Sequence, residues 1–365
     1  MVNHIFVGID LGDKNSVARI AVNQGKTERW GFVNDRRGRQ RLLDEVRRRS
    51  EKVENGQVVM AYEASSCGFI LYDEAEARGI RCEVLAPTKM EKSVEQRQHK
   101  NDDRDAEDVV EKLRGHVLAG NRLPTVWVPD RQMRDDREVV RTRVELVEKQ
   151  TRVKTQIQML VKRHGLEKPT GIGGPWTVRH RQWLEALTES VAWGYGARTA
   201  LMSLLRHLSF LEAEIERIEK PIHELAEQPR HKPILDELTR EHGVGLMTAM
   251  VYRTEIGYAG RFRRGRHVGK FVGLTPTSHE SGQQQDRKGH ISRQGPPRLR
   301  RMLCQASWVH VGHDPQAKRF YQQLVARNPK KKKIAIVAVM RRLAVRLWHR
   351  MRQAEIRMTD LVPVN

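Results

Sequence analysis

An N-terminal α/β domain followed by a mainly helical remainder is the fold class the sequence predicts. Three observations carry it. Residues 1–128 alternate short apolar runs with amphipathic stretches, the pattern of a mixed sheet covered by helices. Residues 131–164 and 201–228 place apolar side chains at helical or heptad spacing among dense charge, which predicts a central helical hairpin or coiled coil. Aromatic residues make up 5% of the chain against 31% charged, a balance that favours long polar helices over a β-rich body.

In order, strands are expected at 5–10, 17–22, 29–33, 57–63 and 82–86, and helices at 36–53, 69–78 and 102–118, with Gly79 and Gly120-Asn121 as breaks. Three strands, a helix, then alternating strands and helices fit a ribonuclease-H-like order, which Pro124 and Pro129 close. Within 131–164, Val139, Val140, Val144, Leu146, Val147, Val153, Ile157, Leu160 and Val161 lie close to helical or heptad spacing among dense charge. The break at 165–175 contains TGIGGP. With no preceding strand and no following Lys-Ser/Thr, it reads as a loop and not as a phosphate cradle. Pro221 is expected to kink the last turns of the second long helix. From residue 232, two short helices flank His242-Gly243-Val244-Gly245. That turn is similar to a helix-hairpin-helix, whose backbone N–H groups at Gly243 and Gly245 would meet phosphate. A Gly- and Ser-rich polar segment follows, then a helix starting around Arg298, Arg300 and Arg301, then a basic helix at 329–351 that opens with Lys330, Lys331, Lys332 and Lys333. The expected domains are 1–128, 129–231 and 232–365.

Lys and Arg number 67 against 45 Asp and Glu, a net charge of +22. That excess is the electrostatic footprint of a nucleic-acid binder, and the Arg and Lys clusters just named suit phosphate contact. Cys67, Cys82 and Cys304 are widely spaced and odd in number. They form neither a zinc pattern nor a disulfide framework, and read as reduced thiols. No apolar stretch of membrane-spanning length occurs, and the start MVNHIFVGID enters a strand directly. A cytoplasmic, nucleic-acid-associated protein without a membrane partner is expected.

Four carboxylates stand out against this basic background. Asp10 ends the run IFVGID, Glu63 ends VVMAYE, and Asp102 and Asp105 are spaced i, i+3 at the start of a helix-like segment. An acid ending a buried strand is costly without a partner. Two strand-end acids and a same-face helical pair could converge on a hard cation, best Mg²⁺. Such a centre performs phosphodiester chemistry. Asp103 and Asp108 lie close enough to shift the helical pair by one or three positions.

These motifs together resemble the DEDD transposases of insertion sequences, the IS110 group. VGIDLG, AYEAS and D-x-x-D-A at Asp102 to Ala106 carry the N-terminal half of the likeness. The G-V-G turn, GLTPTSHESG and HISRQGPPRLRRML carry the C-terminal half. The resemblance implies a RuvC-like domain holding Mg²⁺ on Asp10, Glu63, Asp102 and Asp105. It implies a C-terminal transposase domain whose Ser281, in HESG, attacks DNA and becomes transiently phosphoserine-linked; Ser278 is the alternative. It further implies a structured bridge RNA that pairs with target and donor DNA, a homodimer or dimer of dimers, and a bacterial or archaeal host. Two rival readings remain at this point. One is a metal-dependent endonuclease like a Holliday-junction resolvase, with no covalent step. The other is a non-catalytic architectural nucleic-acid protein.

Overall fold

The computed structural model describes residues 2–89, 102–190, 193–278 and 288–360. It resolves into two units, Met1–Val128 and Pro129–Asn365. In the first, β1 (Asn3–Asp10), β2 (Asn15–Val22) and β3 (Glu28–Val33) form an antiparallel meander. β4 (Gly56–Glu63) pairs with β1 in parallel, and β5 (Arg81–Leu85) pairs with β4 in parallel. The five-stranded sheet therefore has the order β3-β2-β1-β4-β5. Parallel neighbours require crossovers, and α1 (Arg36–Glu51) and α2 (Ile70–Glu76) supply them. Asp35 starts α1 by accepting the Gly38 N–H at 2.6 Å, satisfying one of the donors a helix N-terminus leaves open.

Alternation along the strands decides which helix covers which face. Ile5, Val7 and Ile9 of β1 pack with Leu42, Leu43 and Val46 of α1. Phe6 of β1 and Val59 and Ala61 of β4 point the other way, onto Val109, Val110 and Leu113 of α3 (Asp102–Ala119). Both faces of the sheet are thus buried, as parallel strand pairs demand.

In the second unit, α4 (Arg131–Arg163) and α6 (Tyr195–Ala226) pack along one another. α6 continues through Pro221 to Ala226. Between them in sequence, α5 (Val178–Glu189) packs on α6 and is pinned by Arg181 to Glu212 at 2.7 Å. At one end of the hairpin, Val153, Ile157 and Leu160 meet Leu184, Trp193, Leu201 and Leu208. At the other, Val140, Val144, Ile222 and Ala226 enter the core built by α7 (Lys232–Thr239), α8 (Leu246–Ile256), α9 (Gly265–Phe271), α10 (Pro297–His313) and α12 (Lys332–Asp360). Residues 129–231 and 232–365 belong to one unit because the base of the hairpin shares this core.

α11 (Pro315–Arg327) packs on α10 and α12, and its cap Asp314 accepts the Ala317 N–H at 2.7 Å. A small antiparallel pair, β6 (Pro276–Ser278) and β7 (Lys288–Ile291), matches Ser278 to Lys288. The polar segment expected after the G-V-G turn therefore starts and ends on paired strands. The last helix runs to Asp360, past the expected end at Met351, because Met351 and Ala354 are buried in the core.

Candidate metal centre and nucleic-acid interface

The geometry of the acids follows from the sheet. The β1–β4 register matches Gly8 to Ala61 and Ile9 to Tyr62, so Asp10 and Glu63 finish neighbouring parallel strands at the same edge. Side chains two residues apart share a face. Asp10 therefore follows Phe6 and Gly8, and Glu63 follows Val59 and Ala61, onto the face that α3 covers. Both acids are half-buried.

Helix α3 brings its beginning to that same edge. A Cβ on Gly8 would stand 2.3 Å from the Ala106 carbonyl oxygen and 2.7 Å from the Val110 nitrogen. The helix backbone is seated directly on β1, a close approach only glycine permits. Direction is fixed at both ends of the helix. Asp103 pairs with Arg19 and Arg29 on β2 and β3, each at 3.0 Å. Near the helix C-terminus, Arg114 donates to the Asn23 carbonyl at 2.9 Å, and the Asn23 N–H donates to the His4 carbonyl at 2.8 Å, near the start of β1. α3 thus runs opposite to β1, with Asp102 opening it and half-buried Asp105 one turn on, above the strand ends that carry Asp10 and Glu63. All-carboxylate donors from two strand ends and a helix start fit a hard divalent cation. Among the described residues, which leave out the Asp102 side chain, no three His, Cys, Asp or Glu side chains yet stand close enough to hold one.

Two further features went unread in the sequence. Asp103, one of the alternatives for the helical pair, is engaged by two arginines. Gly8 is the seat of α3, and glycine two residues before a strand-end acid is the signal that could have found it. Gly8→Ala is expected to force the helix off the sheet at a cost of about 1–3 kcal/mol. The melting temperature followed by circular dichroism should drop by several degrees; an unchanged melting temperature would refute the close seating.

The nucleic-acid candidates lie in the second unit and differ among themselves. Gly243, at φ 84°, has a packing reason: a Cβ there would meet the Ala306 carbonyl oxygen at 2.5 Å. Beside it, His310 donates from Nδ1 to the His242 carbonyl at 3.0 Å. The turn between α7 and α8 is therefore docked on α10, whereas Gly245, capping α8, faces open space. Arg298 and Arg301 are paired with Glu145 and Glu148 of α4. Arg300 donates to the carbonyls of Val272 at 3.1 Å and Gly295 at 2.8 Å, and burial with Arg293 nearby holds its guanidinium below the usual range. Lys330, Lys331, Lys332 and Lys333 are all exposed around the start of α12. Positive charge at a helix N-terminus opposes the helix dipole, so these four lysines do not serve the helix. Ser278 ends β6, and Ser281 lies outside the described residues.

Comparison with known proteins places the chain in a family. Residues 7–165 match the DEDD transposase model of IS110 elements, and residues 235–322 match the transposase family IS116/IS110/IS902. The chain belongs to the IS110 family of DEDD transposases. Both halves of this IS110 transposase match in sequence order, the first containing the four acids and the second the Gly243 turn and Ser281. Among its relatives is the candidate transposase y4qE of Sinorhizobium fredii, 27% identical over 308 residues, which cover 84% of this chain and 71% of the relative. The transposase for insertion sequence element IS1533 of Leptospira borgpetersenii is 25% identical, across 71% of this chain and 72% of its own. A pilin gene-inverting protein of Moraxella bovis is 30% identical over a shorter stretch, 28% of this chain and 31% of the relative. The protein is thus a DNA-recombining enzyme, and its DEDD domain indicates use of a divalent metal. Among the described residues, no helix is long and apolar enough to cross a membrane.

Proposed function

We propose that this transposase is an RNA-guided recombinase whose RuvC-like, ribonuclease-H-like first unit holds Mg²⁺ on Asp10, Glu63, Asp102 and Asp105, and whose Ser281 is the nucleophile. The observation that carries the reading is that Asp10 and Glu63 end neighbouring parallel strands on the face covered by α3, which is seated there by Gly8. The bound ion would neutralise charge on the phosphodiester and lower the pKa of an oxygen nucleophile. Ser281 would attack phosphorus through Oγ, forming an Oγ–P bond as the P–O bond to the departing strand breaks. The serine proton passes to a base, and the departing oxygen takes one up. Support for serine over water comes from its place. HESG lies between β6 and β7, whose pairing brings the two ends of that polar segment together, and the chain around it is rich in Arg and Lys. Target and donor DNA, and a structured guide RNA that pairs with both, would be held largely through phosphate contacts by a chain of net charge +22. The protomers would work as a homodimer or dimer of dimers.

The experiment is incubation of the protein with its element's non-coding RNA and a target plasmid, with Mg²⁺ or with chelator, resolved on denaturing gels. Metal- and RNA-dependent strand exchange with a protein–DNA adduct is the expected result. Cleavage with no adduct would return the protein to the endonuclease reading, and exchange without RNA would remove the guide.

A further inference from the structure

Trp176, Trp183 and Trp193 differ in their surroundings. Trp193 is buried and packs against His164, with ring centroids 5.0 Å apart and the rings tilted by 40°. Trp183 is only half-buried and lines a cavity of about 210 Å³ at the end of the α4–α6 hairpin. Ile157 and Val161 of α4 and Leu184 of α5 give it apolar walls, and exposed Lys162 and Lys168 stand on its rim. Pockets for drug-sized ligands usually span about 300–1,000 Å³, so this one suits a single flat ring system. The ring of His180 lies 5.5 Å from Trp183 and 5.5 Å from Trp176, and Lys154 Nζ stands 5.6 Å over Trp176. His180 is held in place by accepting the Trp176 N–H on Nδ1 at 3.2 Å. Burial, with Lys168 and Arg181 nearby, pushes its pKa down and favours the neutral ring.

An apolar slot with one aromatic wall and two cations at its mouth has the chemistry of a base-and-phosphate site. We propose that this cavity receives one unpaired nucleobase of a single-stranded segment, stacked on Trp183, with its phosphate against Lys162 and Lys168. The cationic rim favours an anionic occupant over a second copy of a chain carrying +22. The inference rests on the nucleic-acid reading of this transposase and adds to it a contact that discriminates single strands from duplex.

The test measures binding of full-length protein to a short oligothymidylate, an oligouridylate and a mixed-sequence duplex. Trp183→Ala is expected to weaken single-strand binding roughly tenfold, the effect of losing one base stack, and to leave duplex binding unchanged, while Trp183→Phe retains most of it. Loss for oligouridylate alone assigns the slot to RNA, and loss for oligothymidylate alone assigns it to DNA. Equal losses for single strand and duplex, or no loss, overturn the inference while leaving the nucleic-acid reading standing. Wild-type protein that binds none of the three overturns both. Independently of folding in the variants, photocrosslinking of wild-type protein to iodouracil-substituted single strands should place the adduct on the Trp183 peptide; adducts only elsewhere overturn the proposal.

Discussion

Asp10→Asn and Glu63→Gln proteins are expected to bind nucleic acid as the wild type does and to cut none of it. Each change keeps the size of the side chain and removes one charge. The two acids finish adjacent parallel strands on the face covered by α3, so neither has a carboxylate behind it on its own strand to take over as a ligand. Losing a ligand to a catalytic cation removes several kcal/mol of charge stabilisation from the transition state, a fall of about 10³-fold or more in rate. Binding should persist, because affinity for phosphate comes from a net charge of +22 spread over the chain. Plasmid cleavage with Mg²⁺, measured beside filter binding, separates the two effects. Asp103→Asn is the control. That carboxylate pairs with Arg19 and Arg29 at partly exposed positions, where ion pairs contribute little, and its loss should leave cleavage near wild type. If Asp103→Asn abolishes cleavage and Asp102→Asn does not, the helical pair must be moved by one residue.

The strands of the first unit were legible because their apolar runs are short, bounded and ended by acids, and the observed β1 to β5 fall close to the expected segments. The neighbouring placement of Asp10 and Glu63 follows from the adjacency of β1 and β4, which periodicity alone does not state. Gly8, two residues before the strand-end acid, marks a close approach to β1, but a glycine inside a strand does not say which helix makes it. The second unit hid more. α5 directly follows the Gly165–Pro175 break, where no helix is expected, although Thr177 caps it by accepting the His180 N–H at 3.4 Å, and Leu184 lies on its buried face. β6 and β7 are too short for alternation to register. The phosphate roles assigned to Arg298 and Arg301 rested on charge alone, and sequence cannot show that Glu145 and Glu148, on a helix about 150 positions away, would pair with them. The packing use of Gly243 is likewise hidden in the sequence. A G-x-G turn is as useful for close helix packing as for phosphate, and here its first glycine sits against the Ala306 carbonyl.

Ser281→Ala is expected to keep RNA, DNA and metal binding while losing both strand cleavage and the covalent adduct. The argument turns on what each mechanism asks of the residue. In a hydrolase built on the four acids, a metal-bound water attacks, and a serine more than 170 positions after Asp105 is dispensable. In a serine recombinase the bond energy of the broken phosphodiester is kept for rejoining in a protein-linked intermediate, which needs an oxygen on the protein to form it. A hydroxyl held in line with the leaving oxygen contributes through positioning as well as reactivity, so its removal cannot be offset by bulk water without turning exchange into hydrolysis. Ser278 supplies the internal comparison. It ends β6 in register with Lys288, and Ser278→Ala should still form the adduct on denaturing gels. A Ser281→Ala protein that forms the adduct, with Ser278→Ala unable to, would transfer the role by three residues. A Ser281→Ala protein that cleaves at the wild-type rate without any adduct would leave the four acids as the whole of the chemistry.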